Sequence, residues 1–139
     1  MVERKKGVII NVASFAATTF FPLTGTYAAT KACMDKFSES LQIEYADKGI
    51  IVQCVLPLFV ATKMSGMKTT LFCPTPDDYV PSVLKKVGVA KRCFGYWAHE
   101  LQGFIILSLP RWLITRSALD AVSRHQKISS QTTNEKKEK

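Results

Sequence analysis

YAATKACMDKFSESLQIEYADKGIIVQCVL, residues 27–56, decides the fold class. From about Tyr27 to Asp47 the apolar residues Ala29, Cys33, Met34, Phe37, Leu41 and Tyr45 recur at intervals of three and four, a helical stripe, with Lys36, Glu39, Gln42 and Asp47 between them. Lys48-Gly49 closes that helix, with a cation in the last turn and a glycine just beyond it. The run IIVQCVL, residues 50–56, then reads as a buried strand. Working outward, GVIINVAS, residues 7–14, with Val8, Ile9, Ile10 and Val12, is a second apolar run of the kind that parallel strands carry when both faces are covered. Two such strands joined by a helix of about five turns make a parallel crossover, so the fold class is α/β.

The same segment contains a chemical pattern. Tyr27 and Lys31 are four residues apart and project from one face of the helix, one turn apart. A phenol has an ordinary pKa of roughly 10, and an ammonium held beside it favours the phenolate, easing proton exchange. Ser14 precedes Tyr27 by thirteen residues and ends the first apolar run, placing its hydroxyl at a strand's carboxyl end. That is where ligands bind in open α/β sheets. Tyr-x-x-x-Lys alone is unspecific, because a helix with a tyrosine near its start often has a lysine one turn on. The strand-end serine, the small Ala28 and Ala29 inside the pair and the strand that follows make it specific.

With these included, residues 6–113 resemble the short-chain dehydrogenase/reductase family. The segments KGVIINVAS, TYAATKACMDKFSESLQIEYADKGIIVQCVLPLFVATKM and GYWAHELQGF are similar to the branch that holds 17-beta-hydroxysteroid dehydrogenase type 3 and the very-long-chain 3-oxoacyl-CoA reductase. The resemblance implies the C-terminal half of a doubly wound, Rossmann-like parallel sheet with flanking helices. It implies a Ser14–Tyr27–Lys31 site that reduces a ketone with hydride from NADPH. After the second strand the family reads Pro-Gly-x-Val-x-Thr, whose backbone and threonine meet the nicotinamide end of the cofactor. Here Pro57, Val60 and Thr62 match and Leu58 replaces the glycine. A long-chain 3-oxoacyl-CoA or a 17-keto steroid is the implied substrate, and Phe20, Phe21 and Phe59, with Ser14 and Tyr27, are the implied contacts to it. Phe20 and Phe21 either pack or line that pocket; the sequence leaves both open.

The family's glycine-rich phosphate turn is not in this chain. Its seven glycines nowhere form Gly-x-x-x-Gly-x-Gly, and neither a ribose-reading residue, an Asn-Asn-Ala-Gly stretch nor the family's catalytic asparagine is found. The expectation is a fragment or shortened form with its sheet incomplete. The competing reading is a chain without catalysis that serves as an interaction or membrane-surface protein.

Composition agrees with one modest globular unit: 139 residues, 47% hydrophobic, 22% charged. The net charge of +8 is dispersed with no aromatic-interleaved basic patch, so nucleic acid is not an expected partner. Four widely spaced cysteines argue against a zinc site, and Cys33 and Cys54 read as core thiols in a reducing compartment. Met1 is followed by charged VERKK, with no signal peptide, and no apolar run reaches membrane-spanning length.

Residues 65–76 read as a loop that is either flexible or substrate-covering. A helix is expected from Asp77 to Val87, a turn at Lys91 to Phe94, and an apolar segment from Gly95 onward that either packs on the sheet or lies along a membrane with Trp97, Arg111 and Trp112 at its interface. His99 in that segment reads as structural. Residues 1–113 are expected to be the reductase portion, 114–125 a helical extension and 126–139 a disordered basic tail. The tail ends Lys136-Lys137-Glu138-Lys139, similar to a dilysine retrieval signal of the endoplasmic reticulum, which points to a membrane-associated protein there, with homo-oligomers an open expectation.

Overall fold

The computed structural model describes residues 1–20, 22, 24–116 and 119. Phe21, most of the expected 114–125 extension beyond residue 116 and the expected 126–139 tail lie outside the described residues. Three parallel strands form one sheet in the order β1 (Gly7–Val12), β2 (Ile50–Val55), β3 (Arg92–Cys93). Helix α1 (Gly25–Glu44) connects the first two strands, α2 (Pro76–Leu84) precedes β3, and α3 (Trp97–Ser108) follows it. Parallel pairing runs in register from Gly7↔Ile50 to Val12↔Val55, the crossover expected from the two apolar runs.

Several boundaries differ from the sequence reading. β1 stops at Val12 because Ser14 caps a short 3-10 turn, Phe15–Ala17, its side chain accepting from the Ala16 N–H at 3.2 Å. Helix α1 begins two residues before Tyr27 and ends at Glu44, short of Asp47. α2 starts on Pro76 after Thr75, whose side-chain oxygen caps the Asp78 N–H, and ends at Leu84 rather than Val87. Lys91 to Phe94 is not a simple turn: Arg92 and Cys93 add a third strand against Cys54 and Val55.

β2 is the centre of the core. Val52, Cys54, Val55 and Leu56 are buried, and Val55 packs with Tyr79, Val83 and Cys93 while Cys54 and Leu56 pack with Ala13. Gln53 is equally buried, and its amide donates to the carbonyls of Lys86 and Ala90, tying β2 to the chain leaving α2.

Helix α1 contradicts the expectation that its apolar stripe is the buried face. Toward the sheet it turns polar residues. Ser38 accepts from the Asn11 amide at 2.9 Å, Asp35 pairs with Arg92 at 2.9 Å, and Gln42 donates to the Lys91 carbonyl at 2.8 Å. Phe37 and Ile43 are left 54% and 75% exposed, and Cys33 is exposed rather than a core thiol, whereas Cys54 is buried as expected. Periodicity located the stripe but not its partner.

Burial raises the Asp35 carboxyl, but the Arg92 guanidinium outweighs it and holds the group below its ordinary 3.8. A depressed carboxylate contributes stability that is complete above 3.8 and is lost as pH falls through the lower folded value. Asp35→Asn is therefore expected to cost about 0.5–1 kcal/mol at pH 7, the range for a pair partly screened by solvent. The difference from the parent should close below pH 3.8. Urea midpoints measured across that interval check it; a gap that is constant with pH contradicts it.

Candidate active site

Beyond the formal end of β1, the ladder with β2 continues. The Ala13 N–H donates to Val55 O at 2.8 Å and the Phe15 N–H to Pro57 O at 3.0 Å. Ser14 sits between these two bonds in an extended conformation, φ −166° and ψ 155°, so its position is fixed by backbone pairing on either side. Its oxygen is an acceptor in the bond from the Ala16 N–H, which orients the side chain and leaves the hydroxyl proton to be donated elsewhere.

Lys31 reaches back from α1 to the same strand end, its Nζ donating to the Val12 carbonyl at 3.1 Å. The ammonium also lies 5.8 Å from the centroid of the Tyr27 ring, one helical turn earlier, and Tyr27 is 49% exposed. Helix α1 packs against the 3-10 turn after Ser14, and Lys31 links that helix to the carboxyl end of β1, two residues before Ser14. Burial pushes the Tyr79 phenol upward, and its hydroxyl is spent on the Phe94 carbonyl at 2.9 Å.

The segment leaving β2 forms the neighbouring wall. The Pro57 carbonyl accepts from the Phe15 N–H, and Val60 packs against the core cluster, so its side chain is occupied. The Val60 carbonyl accepts from Ser65 Oγ at 2.8 Å, and the Ala61 N–H donates to Pro74 O at 2.9 Å. Thr62 is not an open side chain: its N–H donates to Ser65 Oγ at 3.0 Å and its Oγ1 accepts from the Ser65 N–H at 3.2 Å. A bound molecule would have to compete with Ser65 for it.

Of the expected substrate contacts, Phe59 is exposed beside this wall. Phe20 lies under the Arg111 guanidinium, whose carbon is 3.9 Å from the ring centroid, so this ring also anchors the chain after α3.

The sequence reading underused His99. It is 0% exposed, and its Nε2 is 3.1 Å from the Phe59 carbonyl. A carbonyl can only accept, so Nε2 carries the proton and Nδ1 is the bare acceptor, buried with no partner among the described residues. Such an orphan costs about 1–3 kcal/mol. Burial lowers the imidazole below 6.5, against opposing pulls from nearby backbone carbonyls and Glu100, so His99 is neutral at pH 7. Forty residues separate it from Phe59, and no local pattern reveals that pairing.

Known proteins share the sequence and the fold of this chain. The short chain dehydrogenase family model matches residues 1–70. The very-long-chain 3-oxoacyl-CoA reductase of Macaca fascicularis is 47% identical over 121 residues, 86% of this chain and 39% of that protein. The inactive hydroxysteroid dehydrogenase-like protein 1 of Pongo abelii is 39% identical over 118 residues, 81% of this chain and 36% of that protein. A short chain dehydrogenase from Burkholderia cenocepacia, solved in complex with NADP, superposes with a TM-score of 0.66 at 25% identity, covering 81% of this chain and 49% of that one. The chain therefore spans well under half the length of the curated relatives it matches. With the family model matching half of the sequence and three parallel strands in one sheet, the chain belongs to the short chain dehydrogenase family.

Proposed function

We propose that this chain supplies the proton-donating half of an NADP(H)-dependent reductase whose substrate is a long-chain 3-oxoacyl-CoA. What supports this reading is the bond from Lys31 to the Val12 carbonyl, two residues before Ser14, with the Tyr27 ring centroid 5.8 Å from the same ammonium. When bound, a reduced nicotinamide supplies hydride to the carbonyl carbon. Tyr27 donates its phenolic proton to the carbonyl oxygen as that oxygen gains charge, and Ser14 donates a hydrogen bond to the same atom, fixing it in place. Lys31, anchored on Val12 by one of its three donors, holds positive charge beside the phenol and has donors left for ribose hydroxyls.

The residues fit one end of such a cofactor. Lys31 and the backbone of residues 57–62 suit a nicotinamide and its ribose, whereas the seven glycines of the chain include no phosphate-cradling cluster. The side of β1 away from β2 has no strand partner among the described residues, and there the rest of a doubly wound sheet would continue. Nicotinamide fluorescence tests this. A version extended at its N-terminus through a strand and glycine-rich turn is expected to bind NADPH and to oxidise it with long-chain 3-oxoacyl-CoA faster than with a steroid ketone. No oxidation with either substrate would overturn the reading.

A second reading is a chain without catalysis, favoured by its span of 39% of the reductase it matches. No NADPH binding by this chain, together with binding by the extended version, would support it.

We also place the protein at the endoplasmic reticulum membrane surface. No described helix is long and apolar enough to cross a bilayer. α3 nevertheless presents Trp97, Leu101, Phe104 and Ile105 to solvent, Phe104 being 71% exposed, with Arg111 and exposed Trp112 just beyond. Flotation with anionic liposomes is expected to recover the chain in the lipid fraction, and recovery wholly in the unbound fraction would contradict this.

A further inference from the structure

We propose that His99 is a positioning residue: by donating its Nε2–H to the Phe59 carbonyl, it sets the path of residues 57–62 and hence the affinity for the nicotinamide end of the cofactor. The inference rests on the reading that this segment faces the nicotinamide.

The argument starts from what holds the segment. It leaves the central strand after Leu56, a buried residue whose N–H donates to Cys93 O at 2.9 Å. The Pro57 carbonyl is taken by the Phe15 N–H, one residue from the Ser14 hydroxyl. Two residues on, the Phe59 carbonyl is taken by His99 from α3. A continuous frame therefore runs from Ser14 through Phe15 and Pro57 to Phe59 and His99, joining the proton-side hydroxyl to the cofactor-side loop. Of these links, only the last is made by a side chain, so only it can be removed without changing the backbone.

The surroundings hold the imidazole in one orientation. Tyr79 from α2 has its ring centroid 5.4 Å away, and Tyr96 is 5.7 Å away and edge-on. Gly103 follows on the same helix, tight against Phe94. The imidazole leaves Nδ1 buried without a partner, and the compensation is the single bond to Phe59. That bond turns the Phe59 carbonyl inward while its ring stays exposed, the orientation a wall residue needs. It also acts where Leu58 occupies the position that is glycine in the family pattern, so the backbone there is directed by tethers at its two neighbours.

The test compares His99→Phe, which keeps a ring and loses the donor, with His99→Gln, whose amide can restore a donor near Nε2. Both are made in this chain and in the N-terminally extended reductase. In this chain, hydrogen exchange of the amides of residues 58–62 is expected to accelerate in His99→Phe and to return toward the parent's rate in His99→Gln. In the extended protein, His99→Phe should raise the KM for NADPH by roughly tenfold, the upper effect of one lost hydrogen bond, with kcat changed much less. His99→Gln should recover most of that. Equal KM values for NADPH in parent and both variants, with only thermal stability altered, would make His99 a core filler and overturn the inference while leaving the reductase reading intact. A parent that binds no NADPH would overturn both.

Discussion

Tyr27→Phe in the extended reductase is expected to lower kcat by about 10²–10⁴-fold, the range that a positioned general acid contributes. The phenol ring is 49% exposed at the start of α1 and carries no core contact that phenylalanine would lose, so the fold and the KM for NADPH should change little. The loss belongs to the transition state: hydride reaching the carbonyl carbon leaves charge on oxygen, and a site without the phenolic proton has only the Ser14 hydroxyl to meet it. Turnover measured with a long-chain 3-oxoacyl-CoA decides it. A variant reducing that thioester at the parent's rate would remove Tyr27 from the chemistry.

Gly95→Ala is the substitution expected to damage stability most. Gly95 has φ +85°, and a Cβ there would lie 2.5 Å from the Tyr79 hydroxyl and 2.6 Å from Val83 Cγ2. The left-handed backbone costs about 1–2 kcal/mol for a residue with a side chain, and overpacking a filled site costs a further 1–3 kcal/mol. Neither neighbour can give way freely. Tyr79 donates to Phe94 O, and the Gly95 carbonyl is itself held by Ser82 Oγ at 2.7 Å. Gly66→Ala separates the two contributions, because Gly66 has φ +62° with nothing within 4 Å of the added carbon. Urea denaturation should place Gly66→Ala between the parent and Gly95→Ala; equal midpoints for the two variants would mean that the contact with Tyr79 and Val83 is not felt.

Much of this arrangement was legible in the residues. Apolar runs at Val8 to Val12 and Ile50 to Val55, interrupted only by Asn11 and Gln53, read as strands once a five-turn helical period lay between them, and the parallel register followed. The expected cover on both faces did not, since Val8 and Val12 remain 45% and 57% exposed. The Tyr27–Lys31 pair was legible because helix geometry converts a spacing of four into a shared face. What could not be read was anything decided by distant partners. The face of α1 that meets the sheet is set by Asn11 with Ser38 and by Arg92 with Asp35, pairs 27 and 57 residues apart, so the apolar period alone named the wrong side. β3 has two residues and no propensity signal of its own; it exists because Cys54 and Val55 offer an edge. The tether from His99 was hidden for the same reason, its partner Phe59 lying forty residues away, whereas Thr62 and Ser65 are three apart and their pairing is local.

The account stands on three groups serving one oxygen atom. A crystal structure of the extended reductase with NADP and a bound substrate alcohol measures this directly. The alcohol oxygen is predicted within about 2.6–3.2 Å of both Tyr27 Oη and Ser14 Oγ, with Lys31 still on the Val12 carbonyl. An alcohol oxygen bound beyond hydrogen-bond reach of Tyr27, or a Tyr27 turned away from Ser14 in the complex, would contradict it.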